Sequence, residues 1–372
     1  MTETDLPDRR EDPEAKASGF LQIRYGFREQ IRTVRGEKMV RVAVDAMGGD
    51  NAPAEIVRGC LDALQQSPEA ELLLVGREEV IRAELQKHGC AAERLSVIAA
   101  SEVIETGDAP VASIRGKKDS SIVVGMRLVR EGQADAFVSA GSSGAILVGG
   151  QVIIGRIRGI ERAPFAPLVP TEQGGVTLLL DAGANVDARP NHLVQFARMG
   201  SLYMEHVMGV EKPRVAILNV GMEEEKGNAL VKETFPLLRA AEGLHFIGSI
   251  EARDVVRGCA DVCVCEAFTG NMVLKSIEGT ASALLRMIKA AFLSDTRSKL
   301  GALLVKPALK ETLKKFDASK YGGAPMLGLK GLVVKVHGNA KAEEICNAIL
   351  QCRVFQEKHI NERIEKELSL GA

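Results

Sequence analysis

The chain has 372 residues, enough for roughly two domains or one large α/β unit at about 150 residues each. With 46% apolar and 26% charged residues it can bury a sizeable core, which excludes wholesale disorder. Its 48 Lys and Arg against 49 Asp and Glu leave a net charge of -1, and aromatic residues are only 4% with no Trp. Neither the basic field of a dedicated nucleic-acid binder nor the ring platforms of a single-strand reader is present.

The first 38 residues alternate acids and bases without an apolar period. They read as a disordered or weakly helical extension with no signal-peptide core. Met39 stands directly before a clean strand and is a candidate start. From there, short apolar runs that close on Gly or polar residues alternate with helical spacing. Strands are predicted at Val40–Ala46, Leu72–Val75, Leu95–Ala99, Ala136–Ala140, Val176–Leu180, Val215–Val220, His245–Ile247, Val262–Cys265 and Leu332–Val336. Ala54–Leu64 and Asn191–Met208 show helical spacing. This alternation predicts a three-layer αβα catalytic unit over residues 39–368, built on one largely parallel sheet with helices on both faces. Residues 136–155 carry no charge and are long enough to span a bilayer, but five glycines and three serines make them a buried strand, loop and helix.

In open α/β sheets ligands bind beyond the carboxyl ends of the strands. Six predicted ends are polar and Gly-rich. They are Asp45 to Asp50 with Gly48 and Gly49, then Gly141-Ser142-Ser143-Gly144 after Ser139, then Asp181 to Asn185. Gly221 to Asn228, Glu266 to Asn271, and His337 to Asn339 follow. They are expected along one edge of one sheet, although each alone reads equally well as a turn with a helix cap. Ser139 to Gly144 leads into a helical run, where small residues let an anion approach free backbone N–H groups. No G-x-G-x-x-G and no G-x4-G-K-[ST] occurs, which disfavours a Rossmann dinucleotide site and a P-loop. Lys118, within Arg115 to Ser121, is a phosphate candidate or part of a solvated helix start capped by Asp119 or Ser120.

Asn185, Asn228 and Asn271 offer amide donors for a carbonyl oxygen gaining charge. Lys226 and Lys275 offer positive charge for the same oxygen or for phosphate, or are surface lysines. His337, at a strand end, is the histidine placed to act as an acid, while His192, His206 and His359 fall in helical patterns. Cys259, Cys263 and Cys265 lack a second C-x-x-C or a nearby H-x3-H, and the only D-x3-D spacing, Asp8 and Asp12, lies in the extension. No metal and no cofactor is expected. Seven scattered cysteines are no disulfide framework and fit a reducing compartment. Residues 284–316 hold eight Lys or Arg against two acids. They form the bulk of a basic amphipathic hairpin at about 272–316, suited to an oligomer interface, an anionic membrane or an acidic partner.

The motifs VAVDAMGGDNAP, ASEVI, KKDSS, ADAFVSAGSSGA, LLLDAGANVDARPNHLVQFA, EEEKGNALVKE, CEAFTGNMVLK and YGGAPMLGLKG occur in order. On them the chain closely resembles the bacterial phosphate acyltransferases of the PlsX type from Met39 to about Leu368. The resemblance implies transfer of a long-chain fatty acyl group from acyl carrier protein to inorganic phosphate, giving acyl phosphate for phospholipid synthesis. It implies a fold similar to isocitrate and isopropylmalate dehydrogenases and to phosphotransacetylases. It also implies a cytoplasmic homodimer associated peripherally with an anionic membrane surface and handing its product to a downstream membrane acyltransferase.

Asn185, Lys226, Asn228, Asn271 and His337 are the expected catalytic residues. Asp45, Gly48, Gly49, Asp50, Lys118, Ser139, Gly141, Ser142, Ser143, Gly144, Asp181 and Lys275 are expected to bind phosphate and thioester. Two positions depart from the family pattern: Ser142 stands where Asn is usual, and Glu266-Ala267 where Asp-Gly is common. An acyl-CoA-dependent phosphotransacetylase, an NAD(P)-dependent dehydrogenase and a membrane-peripheral scaffold are the competing readings.

Overall fold

Runs of Val, Leu, Ile and Ala too short for helices become strands, most of them buried on both faces, with Leu95–Ala99 and His245–Ile250 partly exposed at the sheet edges. In the computed structural model, which describes residues 39–89, 93–313, 316 and 318–370, these runs pair into two sheets rather than one. The extension expected at residues 1–38 lies outside the described residues.

The first sheet contains β1 (Val40–Asp45), β2 (Ala70–Gly76), β3 (Leu95–Ala99) and β4 (Ala136–Ser139). The second contains β5 (Leu168–Pro170), β6 (Val176–Leu180), β7 (Arg214–Leu218), β8 (His245–Ile250) and β9 (Val262–Val264). The chain then returns to the first sheet with β10 (Ala324–Met326) and β11 (Leu332–Lys335). The orders are β10-β11-β4-β1-β2-β3 and β5-β6-β9-β7-β8, parallel except for β10 and β5. Those two edge strands were not expected. Each has three residues, one of them proline (Pro325, Pro170), so neither has length enough to show a period.

The helices are α1 (Ala54–Gln66), α2 (Glu78–Lys87), α3 (Pro110–Gly116), α4 (Ser121–Arg130) and α5 (Ser143–Gly149), with a π turn at Gly150–Ile154. Then come α6 (Pro190–His206), α7 (Ala229–Ala240), α8 (Ala252–Val255), α9 (Ala267–Phe292), α10 (Thr296–Leu313), α11 (Ala342–Glu357) and α12 (Ile360–Leu370). One cluster of buried side chains joins the sheets: Leu72, Leu74 and Val138 share it with Leu178, Leu180 and Val264, with Phe196 and Tyr203 of α6 and Phe355 of α11. The strand-to-strand seam is also backbone-bonded. Ala166 N–H donates to the Pro325 carbonyl (3.0 Å), and Ala182 N–H to that of Phe165 (3.1 Å).

Helices α9 and α10 form a hairpin that stands off this core. Only Ala267 and Gly270 of α9 are buried, and no residue of α10 is. Leu284, Leu285, Met287, Leu300, Leu303 and Leu304 are exposed along it. Among the described residues no helix is long and apolar enough to cross a membrane. His359, expected inside a helix, instead breaks α11 from α12 with a φ of 52°.

Candidate active site

The six polar loops divide between the two sheets, three to each, so the expected single edge is two rims. On the first, β1, β4 and β11 are adjacent and in register: Val44 pairs with Val138, and Ser139 with Lys335. Neighbours in register point to the same face of a sheet. The last residues of the three strands, Asp45, Ser139 and Lys335, therefore form a polar row at the lip of an apolar sheet. Ser139 Oγ donates to Asp45 Oδ2 (2.7 Å) and accepts Gly141 N–H (3.0 Å). Asp45 Oδ1 accepts Met47 N–H (3.0 Å), and the Ser121 hydroxyl and Gly48 amide also bond this carboxylate. Burial raises the Asp45 pKa, and these bonds pull against it.

Small residues let the loops interlock. A Cβ on Gly48 would collide with Asp45 Oδ2 and lie 2.7 Å from Gly141 N. Gly49 takes a φ of +96°, and Asp50 N–H donates to the Gly338 carbonyl (2.7 Å). Ser142 is buried and caps α5 through Ala145 N–H (3.4 Å), while Ser143 and Asp50 are exposed. Gly144 packs against Pro110. His337 is exposed, its Nδ1 accepting Asn339 N–H (3.4 Å). Lys118 is exposed and has no side-chain hydrogen bond among the described residues. Its neighbour Lys117 is the anchored one, on Asp108 (2.6 Å) and the Val103 carbonyl (2.7 Å), and Ser120 caps α4.

On the second rim Asp181 is fully buried and accepts four N–H groups, from Phe165, Ala184, Asn185 and the Asn185 side chain. Burial pushes its pKa up to about 6 against those bonds. Asn185 Nδ2 donates to Asp181 Oδ2 (2.7 Å) and to the Ala163 carbonyl (3.1 Å). Both amide hydrogens are thus used inside the loop. In this arrangement the amide ties the Asp181 carboxylate to the Ala163 carbonyl. Glu266 caps α9, accepting Thr269 N–H (3.0 Å) and the Thr269 hydroxyl. Gly270 seats that helix so tightly that a Cβ would collide with the Asp181 carbonyl oxygen.

Asn228 is exposed and caps α7 through Oδ1 to Val231 N–H (2.9 Å), which leaves its Nδ2 hydrogens for a ligand. Lys226 is exposed and paired with Glu223 (2.8 Å). Asn228 and Glu266 line a cavity of about 580 Å³ with Ile217, Leu218, Val231 and Val273. Cys265, also on its wall, is buried with its thiol pKa pushed well up by burial, and Cys263 is buried beside it in the core.

Helix α9 begins on the second rim. Asn271 lies on the Gly183 side, its Oδ1 3.9 Å from where a Cβ of Gly183 would be. Lys275, one turn on and exposed, is near enough to Lys335 to depress its pKa. Lys335 is the residue sequence reasoning missed. Its ammonium donates to the carbonyls of Ala140 (3.3 Å) and Val336, and burial pulls its pKa down to about 8. The available signal was that a polar residue, Asp45, Ser139 or Lys335, stands next to last in three of the predicted strands.

The fold class is that of phosphotransacetylases. The solved phosphotransacetylase of Streptococcus pyogenes aligns over 90% of this chain and 99% of its own at a TM-score of 0.57 and 18% identity. The EutD phosphotransacetylase of Staphylococcus aureus aligns over 91% and 98% at 0.52 and 17%. A family model described as "Fatty acid synthesis protein" matches residues 40–363. The phosphate acyltransferase of Thermoanaerobacter pseudethanolicus is 46% identical over 333 residues, 89% of this chain and 98% of the relative. That of Brevibacillus brevis is 47% identical over 329 residues, 88% and 97%. The chain belongs to the PlsX-type phosphate acyltransferase family.

Proposed function

We propose that the protein transfers a long-chain fatty acyl group from the thioester of acyl carrier protein to inorganic phosphate, supplying acyl phosphate for phospholipid synthesis. The observation that carries this reading is the seating of Asn271 and Lys275 on α9 between a glycine-lined rim and an amide-bearing rim. An anion on one side and a carbonyl on the other can meet there. A phosphate oxygen attacks the thioester carbon, the C–S bond breaks, and the proton carried by hydrogen phosphate ends on the departing thiolate, directly or through His337. No covalent enzyme intermediate is needed, so positioning and preorganised donors supply the rate.

Phosphate sits at the first rim among Gly48, Gly49, Gly141 and the backbone of Ser142 to Gly144, with Lys275 facing it. Asn271 and Asn228 donate to the carbonyl oxygen, while Asp181 and Asn185 hold their loop in shape. The cavity lined by Ile217, Leu218, Val231 and Val273 receives apolar substrate. The exposed leucines and basic residues of the α9–α10 hairpin serve a second copy of the chain, an anionic membrane face or the acidic carrier. Acyl phosphate is reactive and apolar, so a membrane acyltransferase nearby is its natural consumer.

Thiol release from palmitoyl carrier protein should require phosphate and yield acyl phosphate one for one. Release that ignores phosphate overturns the reaction, and a clear preference for palmitoyl-CoA overturns the carrier assignment. Removing one oxyanion donor costs about 10²–10³ in turnover, so Asn271→Ala should show a loss of that order. Wild-type turnover in both Asn228→Ala and Asn271→Ala would refute the donor roles.

A further inference from the structure

Within the row Asp45–Ser139–Lys335, two members are saturated by bonds that shape the loops. Asp45 takes the Ser139 and Ser121 hydroxyls and the Met47 and Gly48 amides, and Ser139 Oγ accepts Gly141 N–H. Lys335 differs. Two of its three N–H groups go to the carbonyls of Ala140 and Val336, and no carboxylate lies within 4 Å of it among the described residues. Asp45 and Asp50 act on it only through space, and Lys275 opposes it from α9. A half-buried ammonium held by carbonyls alone is costly unless something supplies the missing counter-charge. The loops beside it are glycine at 48, 49 and 141, so backbone rather than bulky side chains borders the strand ends there. Lys275 is itself paired with Glu278 (2.7 Å), so the repulsion between the two ammonium groups is partly offset, and an anion near both would reverse it.

We infer that Lys335 is the cation that grips the phosphate substrate, with Asp45 and Ser139 as positioning residues that set the loops on either side. This rests on the phosphate-acyltransfer reading above and adds the residue that selects the anion. The third N–H of Lys335 donates to a phosphate oxygen, and Lys275 faces the anion from across the gap.

The test uses the full-length enzyme and two probes, inorganic phosphate and sulfate. A hydrogen bond from a charged group is worth about 1.5–3 kcal/mol, so Lys335→Met should raise the KM for phosphate about ten- to a hundred-fold. Turnover at saturating phosphate should change much less. Sulfate, which does not titrate near neutrality, should compete with phosphate and weaken as pH rises through about 8 in the wild type. In Lys335→Met that midpoint should vanish. Asp45, Asp50 and Lys275 all remain in the variant, so a midpoint that persists belongs to one of them and overturns the inference, as does an unchanged phosphate KM.

If the variant does not fold, amine acetylation of the wild type read by peptide mass spectrometry decides. Phosphate should protect Lys335, and equal modification with and without phosphate overturns the proposal. Wild-type enzyme that releases thiol without phosphate would sink the underlying reaction. Phosphate-dependent release with an indifferent Lys335→Met sinks only this step.

Discussion

At position 335 the sheet keeps a charged group where an apolar one would pack more cheaply. Its pKa is drawn from 10.5 down to about 8 by burial. Below about pH 8 both folded and unfolded chains hold the proton, and the folded state bears the full cost of the buried charge. Between about 8 and 10.5 the folded chain releases it first, so this group makes the protein more stable as pH rises. A shift of that size corresponds to a few kcal/mol. Lys335→Met should therefore unfold at higher urea than the wild type at pH 7, with the gap closing by pH 10.5. A variant weaker by the same amount at both pH values would show that the side chain is structural. Asn185 teaches the converse. An amide in a Gly-containing loop looked like a donor to substrate, yet its hydrogens serve Asp181 and Ala163. Residue type and spacing could not separate it from Asn271, because the difference is which carbonyl the fold brings alongside.

Helix α9 performs two tasks along its length. Its first turns are wedged against the second rim at Gly270, and its later turns leave the body of the protein in the hairpin. A Cβ at position 270 meets the Asp181 carbonyl, whereas one at Gly279 meets nothing within 4 Å. Gly270→Ala should lose at least the ~1–3 kcal/mol of an overpacked site and shift Asn271 and Lys275 with it. Gly279→Ala should gain about 0.5–1 kcal/mol from helix propensity. Thermal melts of both variants check this; equal behaviour would mean that the helix start is not pinned. The hairpin was legible in advance because amphipathic spacing and charge are local. That, among the described residues, only its first turns pack on the body of the protein, through Val273, Leu274 and Ile277, was not.

Over the whole molecule, the two sheets share one cluster of buried side chains, and each has a further cluster on its other face. Helix α6 inserts Phe196 and Tyr203 into it, and Tyr203 OH accepts from Gln351 Nε2 of α11 at 2.7 Å. Neither sheet can lose its packing without exposing the other. Urea unfolding followed by circular dichroism and by tyrosine fluorescence should give coincident midpoints. Two separated transitions would mean that the rims belong to independently folding halves, and the site between them would then depend on how those halves dock.

Local pattern alone determined the nine strands that carry the fold, the alternation with helices, the polar strand ends and the family of acyltransferases to which the chain belongs. Each of these is written in a few consecutive residues or in an ordered set of motifs. Only tertiary structure decided that the strands split into two sheets. It placed Asp45, Ser139 and Lys335 in one row and committed Asn185 to a loop while Asn271 was left exposed between the rims. Strand pairing and register join residues far apart in the chain, as with Asp45 and Ser139, 94 positions apart, and Ser139 and Lys335. No period or spacing along the chain encodes such a meeting, because it is set by which apolar faces bury best against one another.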